Sequence, residues 1–373
     1  MSPFFSRIPA RFAAALVVAT VALPVPSAGQ KGPLPRDSTA RVERLAGGVY
    51  AIIHDDATDQ WPHGNTGVVV YDDGVLVVDA TYLPSRARAD IALIRTLSDQ
   101  PVRYLINTHW HMDHTYGNEA YRDAFPDVVI VTERKTREFS ELNSHYWARL
   151  STAPGSTRRT AIRDLEAELA RGRDSTGRTH SAEEKRRLET VIRQRSNELE
   201  ELAGVRVVVA DQVFDRAMTL RLGARRVELV DRGRANSPHD VTVYLPDERV
   251  LFAGDILVQS PLPYTGMSWP VPWIEVLREL EKVPVAALVP GHGPVMRDHS
   301  YTRQVRELLQ TVTSRVGAMV RQGKPVEQIQ DSLGLEEVRR KVPVWTGAKL
   351  DADWDYILRT VIERAWRGVR GQG

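Results

Sequence analysis

Residues 106–114 read INTHWHMDH: Ile106, Asn107, Thr108, His109, Trp110, His111, Met112, Asp113, His114. Three histidines and one aspartate fall within six positions, while the other histidines of the chain are scattered singly. Neutral imidazole and carboxylate together form a donor set for Zn2+ or another divalent first-row metal. The stretch VRYLI just before it has the apolar character of a buried strand. The donors therefore fall on the loop beyond the strand's carboxyl end, where α/β sheets place their sites.

Upstream, GVYAII, TGVVVY and VLVVDA are short β-type runs separated by turns, DDG among them. PSRARADIALIRTLS (84–98) has the apolar spacing of a helix with Ile91, Leu93, Ile94 and Leu97 inward. Strand, helix and strand in that order predict an α/β layered domain. Residues 155–204 are rich in Arg and Glu and carry two helical stripes: Ile162, Leu165 and Leu169, then Leu188, Val191, Ile192, Leu199 and Leu202. Ser181 with Glu184 three positions on predicts a capping box for the second helix. This is a helical hairpin inserted into the main domain. Further β-type runs are read at 205–210, 213–214, 226–230, 241–245 and 249–253. They are followed by the helix WIEVLREL, the strand VAALVP and a helical extension over 301–373.

Composition narrows the classes of function. The chain has 373 residues, 42% of them hydrophobic and 26% charged, with a net charge of +2. That is ordinary for a globular protein. Basic residues are interleaved with acidic ones and form no isolated stripe, which argues against a nucleic-acid partner; the expected partner is a small-molecule substrate. No cysteine is present, which excludes disulfides, thiolate catalysis and thiolate ligands. At the N-terminus Arg7 and Arg11 precede FAAALVVATVALPVP (12–26) and then SAGQ. This is the order of a secretory signal peptide over 1–28, followed by a flexible lead-in over 29–42. The apolar run is shorter than the ~20 residues a spanning helix requires. The expectation is a periplasmic or secreted protein with no stable membrane span after cleavage. Trp345, Trp354 and Trp366 in the C-terminal helices leave packing on the core and homo-oligomer contacts both open.

Three further motifs occur in a telling order, one before the 109–114 cluster and two after it. VLVVDA carries Asp79, LFAGD carries Gly254-Asp255, and LVPGHGPV carries Gly291-His292. With His-x-His-x-Asp-His at 109–114 they resemble the metallo-β-lactamase-fold superfamily of metal-dependent hydrolases, in its glyoxalase II-like and β-lactamase-like branches. The resemblance covers about residues 43–300. It implies a four-layer αββα sandwich with a shallow metal site at one edge. It also implies that His109 and His111 belong to a first metal position, that Asp113, His114 and His292 belong to a second, and that Asp255 bridges the two. One or two Zn2+ ions, or another divalent first-row metal, would then activate water, with Asp113 as the catalytic carboxylate that orients it.

The chain departs from the family at GRANSPHDVTVYLP (233–246). The family pattern places a histidine in this loop to complete the first position, and Asn236 stands there instead. Three arrangements remain open: a weak or water-completed first position, His239 swinging in, or Asn236 ligating through its amide oxygen. For the substrate, Trp61 on the early loop DQWPHGNTG, Tyr116 beside the ligands, and Tyr264 and Trp269 on the Pro-rich loop after Asp255 are candidate wall residues. The implied function is an exported metal-dependent hydrolase of an ester, lactone, thioester or amide, with β-lactams as one member of that set. The alternative is a metal-stabilised binding or scaffold protein with a degenerate site.

Overall fold

The computed structural model describes residues 40–54, 63–259, 265–341 and 348–372. The stretch read as a signal peptide, most of that read as a lead-in, Trp61 and Tyr264 lie outside these residues. The first sheet opens as an antiparallel meander: β1 (Ala40–Ala46), β2 (Val49–His54), β3 (Thr66–Tyr71) and β4 (Gly74–Val78). Strand β1 begins inside the stretch read as lead-in. Helix α1 (Pro84–Leu97) then carries the chain back, so that β5 (Val102–Ile106) lies parallel to β4. Beyond β5 come the short helices α2 (Met112–Thr115) and α3 (Asn118–Ala124). Parallel strands β6 (Val129–Glu133) and β7 (Gln212–Phe214) complete seven strands.

Between β6 and β7 the chain makes three helices: α4 (Arg134–Thr152), α5 (Thr157–Arg171) and α6 (Ala182–Ala203). Helices α5 and α6 are the hairpin read in the sequence, and Ser181 and Glu184 form the reciprocal capping box. The sequence pattern does not mark helix α4, whose buried residues are Thr136, Ser140 and Ser144. Residues 205–210, read as a strand, pair with no neighbour in a ladder. Side chains take their polar groups instead: Glu119 Oε2 accepts from Arg206 N, and Asn118 Nδ2 donates to Val208 O. The strand β8 (Ala217–Leu222), unread in the sequence, opens the second sheet.

That sheet continues with β9 (Arg225–Asp231), β10 (Val241–Leu245) and β11 (Val250–Phe252), all antiparallel. Helix α7 (Pro270–Leu280) then returns the chain to β12 (Ala287–Val289), parallel to β11. The two sheets bury their inner faces against each other, with Ile106 and Val131 from one and Leu229, Val243 and Phe252 from the other. The outer face of the first sheet is covered by α1 and α3, through Ile91, Ile94 and Tyr121. The outer face of the second is covered by α7, α8 (Ser300–Arg321), α9 (Val326–Ser332), α10 (Glu336–Arg339) and α11 (Ala348–Val369). The architecture is the four-layer αββα sandwich. Among the described residues no helix is long and apolar enough to cross a membrane.

Candidate metal centre

The sandwich brings the carboxyl ends of β4, β5, β11 and β12 to one edge. Beyond them lie Asp79, the 109–114 cluster, Asp255 in a single 3-10 turn (Gly254–Ile256), and His292. The donor atoms of Asp113, His114, Asp255 and His292 all lie within 4.8 Å of one another, and so do those of His109, His111 and Asp255. Asp255 is shared by both groups. Its Oδ1 is 3.2 Å from His114 Nε2 and 3.4 Å from His292 Nε2, while its Oδ2 is 3.7 Å from His109 Nε2. One carboxylate oxygen thus faces each set of donors.

Hydrogen bonds fix which imidazole nitrogen faces inward. Asp79 Oδ2 can only accept, so His114 Nδ1, 2.9 Å away, carries the proton and His114 Nε2 presents a lone pair to the cluster. The Thr108 hydroxyl donates to the same Asp79 oxygen at 2.8 Å, and therefore accepts from His109 Nδ1 at 3.0 Å. His109 Nε2 is left facing Asp255. Asp79 also accepts from Thr108 N through its other oxygen. It holds this position at a left-handed φ of 61°, and Thr81 lies at φ 59°. Such backbone is costly for residues with a side chain and persists where its surroundings enforce it.

These residues fit a metal. His109 Nε2 and Asp255 Oδ1 are buried and have no hydrogen-bond partner. His114 Nε2 and His292 Nε2 stand 3.3 Å apart, and Asp113 Oδ2 is 3.0 Å from His292 Nε2, so nitrogen and oxygen donors converge on one small volume. The donors are nitrogen and oxygen with no sulfur, which suits zinc or a similar borderline first-row ion.

Electrostatics divides the cluster. Burial, reinforced by neighbouring His114, holds His109 well below the usual imidazole range, and burial lowers His111. Burial also opposes charge on His114 and His292. There the nearby carboxylates outweigh it: Asp255, Asp79 and Asp113 hold His114 well above its ordinary value, and Asp255 and Asp113 raise His292. In turn burial would raise Asp113 and Asp255, but the adjacent imidazoles hold both below the carboxylate range.

The framework also depends on residues that the sequence reading did not single out as site residues. Asn65 Nδ2 donates to Pro290 O at 3.0 Å and to Gly293 O at 2.8 Å, and Asn65 N donates to Gly291 O, so the residue leading into β3 holds the His292 loop. A Cβ on Gly291 would lie 1.9 Å from Asp255 Oδ1, so only glycine admits that carboxylate. Asn65 belongs to no local motif, and both acceptors of its Nδ2 lie more than 220 positions away. Only the spatial fold reveals it.

Asn236 is fully buried in the loop between β9 and β10. His239 does not swing in toward the cluster. Its Nδ1 is hydrogen-bonded to Asp231 Oδ2 at 3.0 Å and is 3.8 Å from Glu133 Oε2. The hydrogen bond to Asp231 raises His239 above the usual imidazole value. Glu133, Asp231 and His239 form a third convergent group, but Glu133 already caps α4 by accepting from Thr136 N, and Asp231 accepts from Gly233 N. The arrangement is a tie between the loop and the insertion. Tyr116 is 1% exposed and its hydroxyl donates to Ser144 O, so it packs beneath the loop rather than facing a cleft. Trp269 is half-buried. Its backbone N–H donates to Ala235 O at 2.8 Å, and the guanidinium groups of Arg234 (5.7 Å) and Arg364 (5.1 Å) both lie against its ring.

Similarity to known proteins accords with this geometry. The profile of the Metallo-beta-lactamase superfamily matches residues 59–320. A linear primary-alkylsulfatase from Pseudomonas sp. (strain ATCC 19151) is 23% identical over 231 residues, 59% of this chain but only 40% of the sulfatase. A metallo-beta-lactamase from Pontibacter korlensis shares the fold with a TM-score of 0.52 at 18% identity, over 73% of this chain and 99% of the lactamase. The DIM-1 metallo-beta-lactamase has a TM-score of 0.50 at 16% identity, over 73% of this chain and 98% of its own. The four-layer sandwich, the shared carboxylate of Asp255 and a family match over most of the chain lead to one conclusion: the chain belongs to the metallo-β-lactamase superfamily of metal-dependent hydrolases.

Proposed function

We propose that this chain is an exported metal-dependent hydrolase that uses activated water on an ester, lactone, thioester or amide. The observation that carries the reading is the carboxylate of Asp255, with one oxygen toward each of two buried donor groups. His109 and His111 would hold one zinc or similar ion, and Asp113, His114 and His292 another. Bound there, the metal supplies Lewis acidity and a water of lowered pKa. The chain's own residues do the rest. Asp113, its side chain 15% exposed where its neighbours are nearly closed, faces the incoming water and orients it. Asp79 and Thr108 keep the imidazole lone pairs of His114 and His109 directed inward, and Asn65 keeps His292 in place. With Asn236 in place of an imidazole, the first position binds its ion more weakly than the second.

A sulfate ester is a second reading, favoured by the sequence similarity to the linear primary-alkylsulfatase. A panel of chromogenic lactams, lactones, thioesters and carboxylate esters, with an alkyl sulfate beside them, separates the two. Each substrate is assayed with zinc and after chelation. Chelator-sensitive turnover of a carboxylate derivative supports the first reading, and turnover of the sulfate alone supports the second. A chain that turns over none of them, yet melts at lower temperature after chelation, is the metal-stabilised scaffold.

A further inference from the structure

Phe139, Leu142, Tyr146 and Leu150 occur on α4 at positions i, i+3, i+7 and i+11. That spacing places them on one helical face. Leu142 is 78% exposed, Tyr146 52% and Leu150 43%. The buried side of the same helix is polar, with Thr136, Ser140 and Ser144. The helix is thus inverted: its apolar stripe faces outward. Contiguous exposed apolar surface is a recurrent mark of binding sites.

The stripe begins next to the metal centre. Phe139, half-buried, packs edge-on against Trp110 with ring centroids 4.9 Å apart, and Trp110 packs in turn on His111 at 4.8 Å. From there α4 passes alongside the loop that carries the ligands, where Tyr116 Oη donates to Ser144 O, and Leu142 to Leu150 span about 12 Å at the rise of an α-helix. Exposed Glu138 and Arg149 border the line and keep it narrow. A stable association between copies of the chain buries about 800 Å² per partner, well beyond what three side chains in a row offer. A line one residue wide matches an unbranched hydrocarbon chain.

We propose that this face of α4 seats the unbranched apolar tail of the substrate, whose hydrolysable group lies at the metal centre. The inference rests on the hydrolase reading above and narrows its substrate class to amphiphiles with a tail of several methylenes.

The test uses the full chain and the double variant L142Q/L150Q, whose positions are exposed and outside the catalytic machinery. With zinc present, kcat/KM for p-nitrophenyl esters should rise from acetate to decanoate in the native chain. The variant should lose about tenfold on decanoate, through KM, and nothing on acetate. Binding of 1-decanol, followed by tryptophan fluorescence in the presence of chelator, should weaken about tenfold in the variant. Two results overturn the proposal. One is a variant that keeps the native chain-length profile and decanol affinity. The other is sedimentation showing a native dimer that the variant splits while the chain-length profile persists, which would make a second copy the occupant. If no ester of any length is hydrolysed but decanol binding still depends on the stripe, the carboxylate-ester form of the hydrolase reading fails and the subsite stands.

Discussion

Imidazole and a primary amide differ as ligands in one way that matters at position 236. The imidazole nitrogen is a good zinc donor, and the amide oxygen is a neutral, poorer one. The proposed first position then has His109, His111 and one oxygen of Asp255, and the second has four donors. After dialysis against metal-free buffer, the native chain should retain about one equivalent, and Asn236→His should retain close to two. The added imidazole should raise affinity at the first position by at least about tenfold, since even loss of outer support costs ~10–100-fold. Metal analysis of both proteins checks this, and an unchanged stoichiometry and affinity would refute the weak-site idea. His239 shows a different residue-level effect. Its hydrogen bond to Asp231 raises its folded value above the ordinary 6.5, so its stabilising contribution is complete below about that pH. The contribution fades as pH climbs through the raised folded value. The side chain is 30% exposed, so the effect is modest, at most about 1 kcal/mol. His239→Gln should therefore lower unfolding free energy at pH 6 and have less effect at pH 9, as urea titrations in excess chelator would show.

At the scale of elements, legibility followed chemistry where ligands cluster and periodicity where burial is apolar. His109, His111, Asp113 and His114 sit on one short loop, so their spacing announces them; Gly254-Asp255 and Gly291-His292 follow short apolar strands that end in the same plane. The hairpin helices α5 and α6 bury Ile162, Leu199 and Leu202, and those stripes are visible in the sequence. Helix α4 gives the opposite signal, burying Thr136, Ser140 and Ser144 and exposing leucine and tyrosine, so no inward apolar stripe marks it. Residues 205–210 mislead for another reason: a run of valines has β propensity, but the neighbouring side chains of Glu119 and Asn118 take its polar groups before a ladder can form. The capping box at the start of α6 offers a local test. Ser181→Ala removes the acceptor for Glu184 N, at a cost of about 1 kcal/mol. Hydrogen exchange in the first turn of α6 should accelerate about fivefold, while metal content stays native. Exchange rates identical to native there would mean the cap contributes nothing to the hairpin.

Over the whole molecule, the second sheet depends on helices from the far end of the chain. Its outer face is covered by α7, α8 and α11, and α11 contributes Trp354, Ile357, Leu358, Val361, Ile362 and Ala365 to that core. The same helix reaches toward the metal loop. Arg364 Nε donates to Ser268 O at 2.6 Å, and Thr360 exchanges a hydrogen bond with Thr265 at 2.9 Å. The next residue on that segment, Trp269, donates to Ala235, the neighbour of Asn236. Helix α11 is thus part of the support for the loop as well as for the sheet. Burial of each large apolar side chain contributes about 1.5–3 kcal/mol. The five large ones on α11 together rival the roughly 5–15 kcal/mol by which a domain is stable. A chain ending at Lys341 should therefore not survive as a smaller sandwich with an intact metal centre. It should lose its cooperative thermal transition in near-ultraviolet circular dichroism, bind a hydrophobic dye, and retain no metal after dialysis. Arg364→Ala separates the two roles of the helix, because it leaves the buried face in place and removes the guanidinium that bonds Ser268 O and lies over the Trp269 ring. That variant should fold with a cooperative melt and release metal to chelator faster than the native chain. A truncated chain that melts cooperatively with its metal retained would show instead that α11 is an appendage to a sandwich already complete without it.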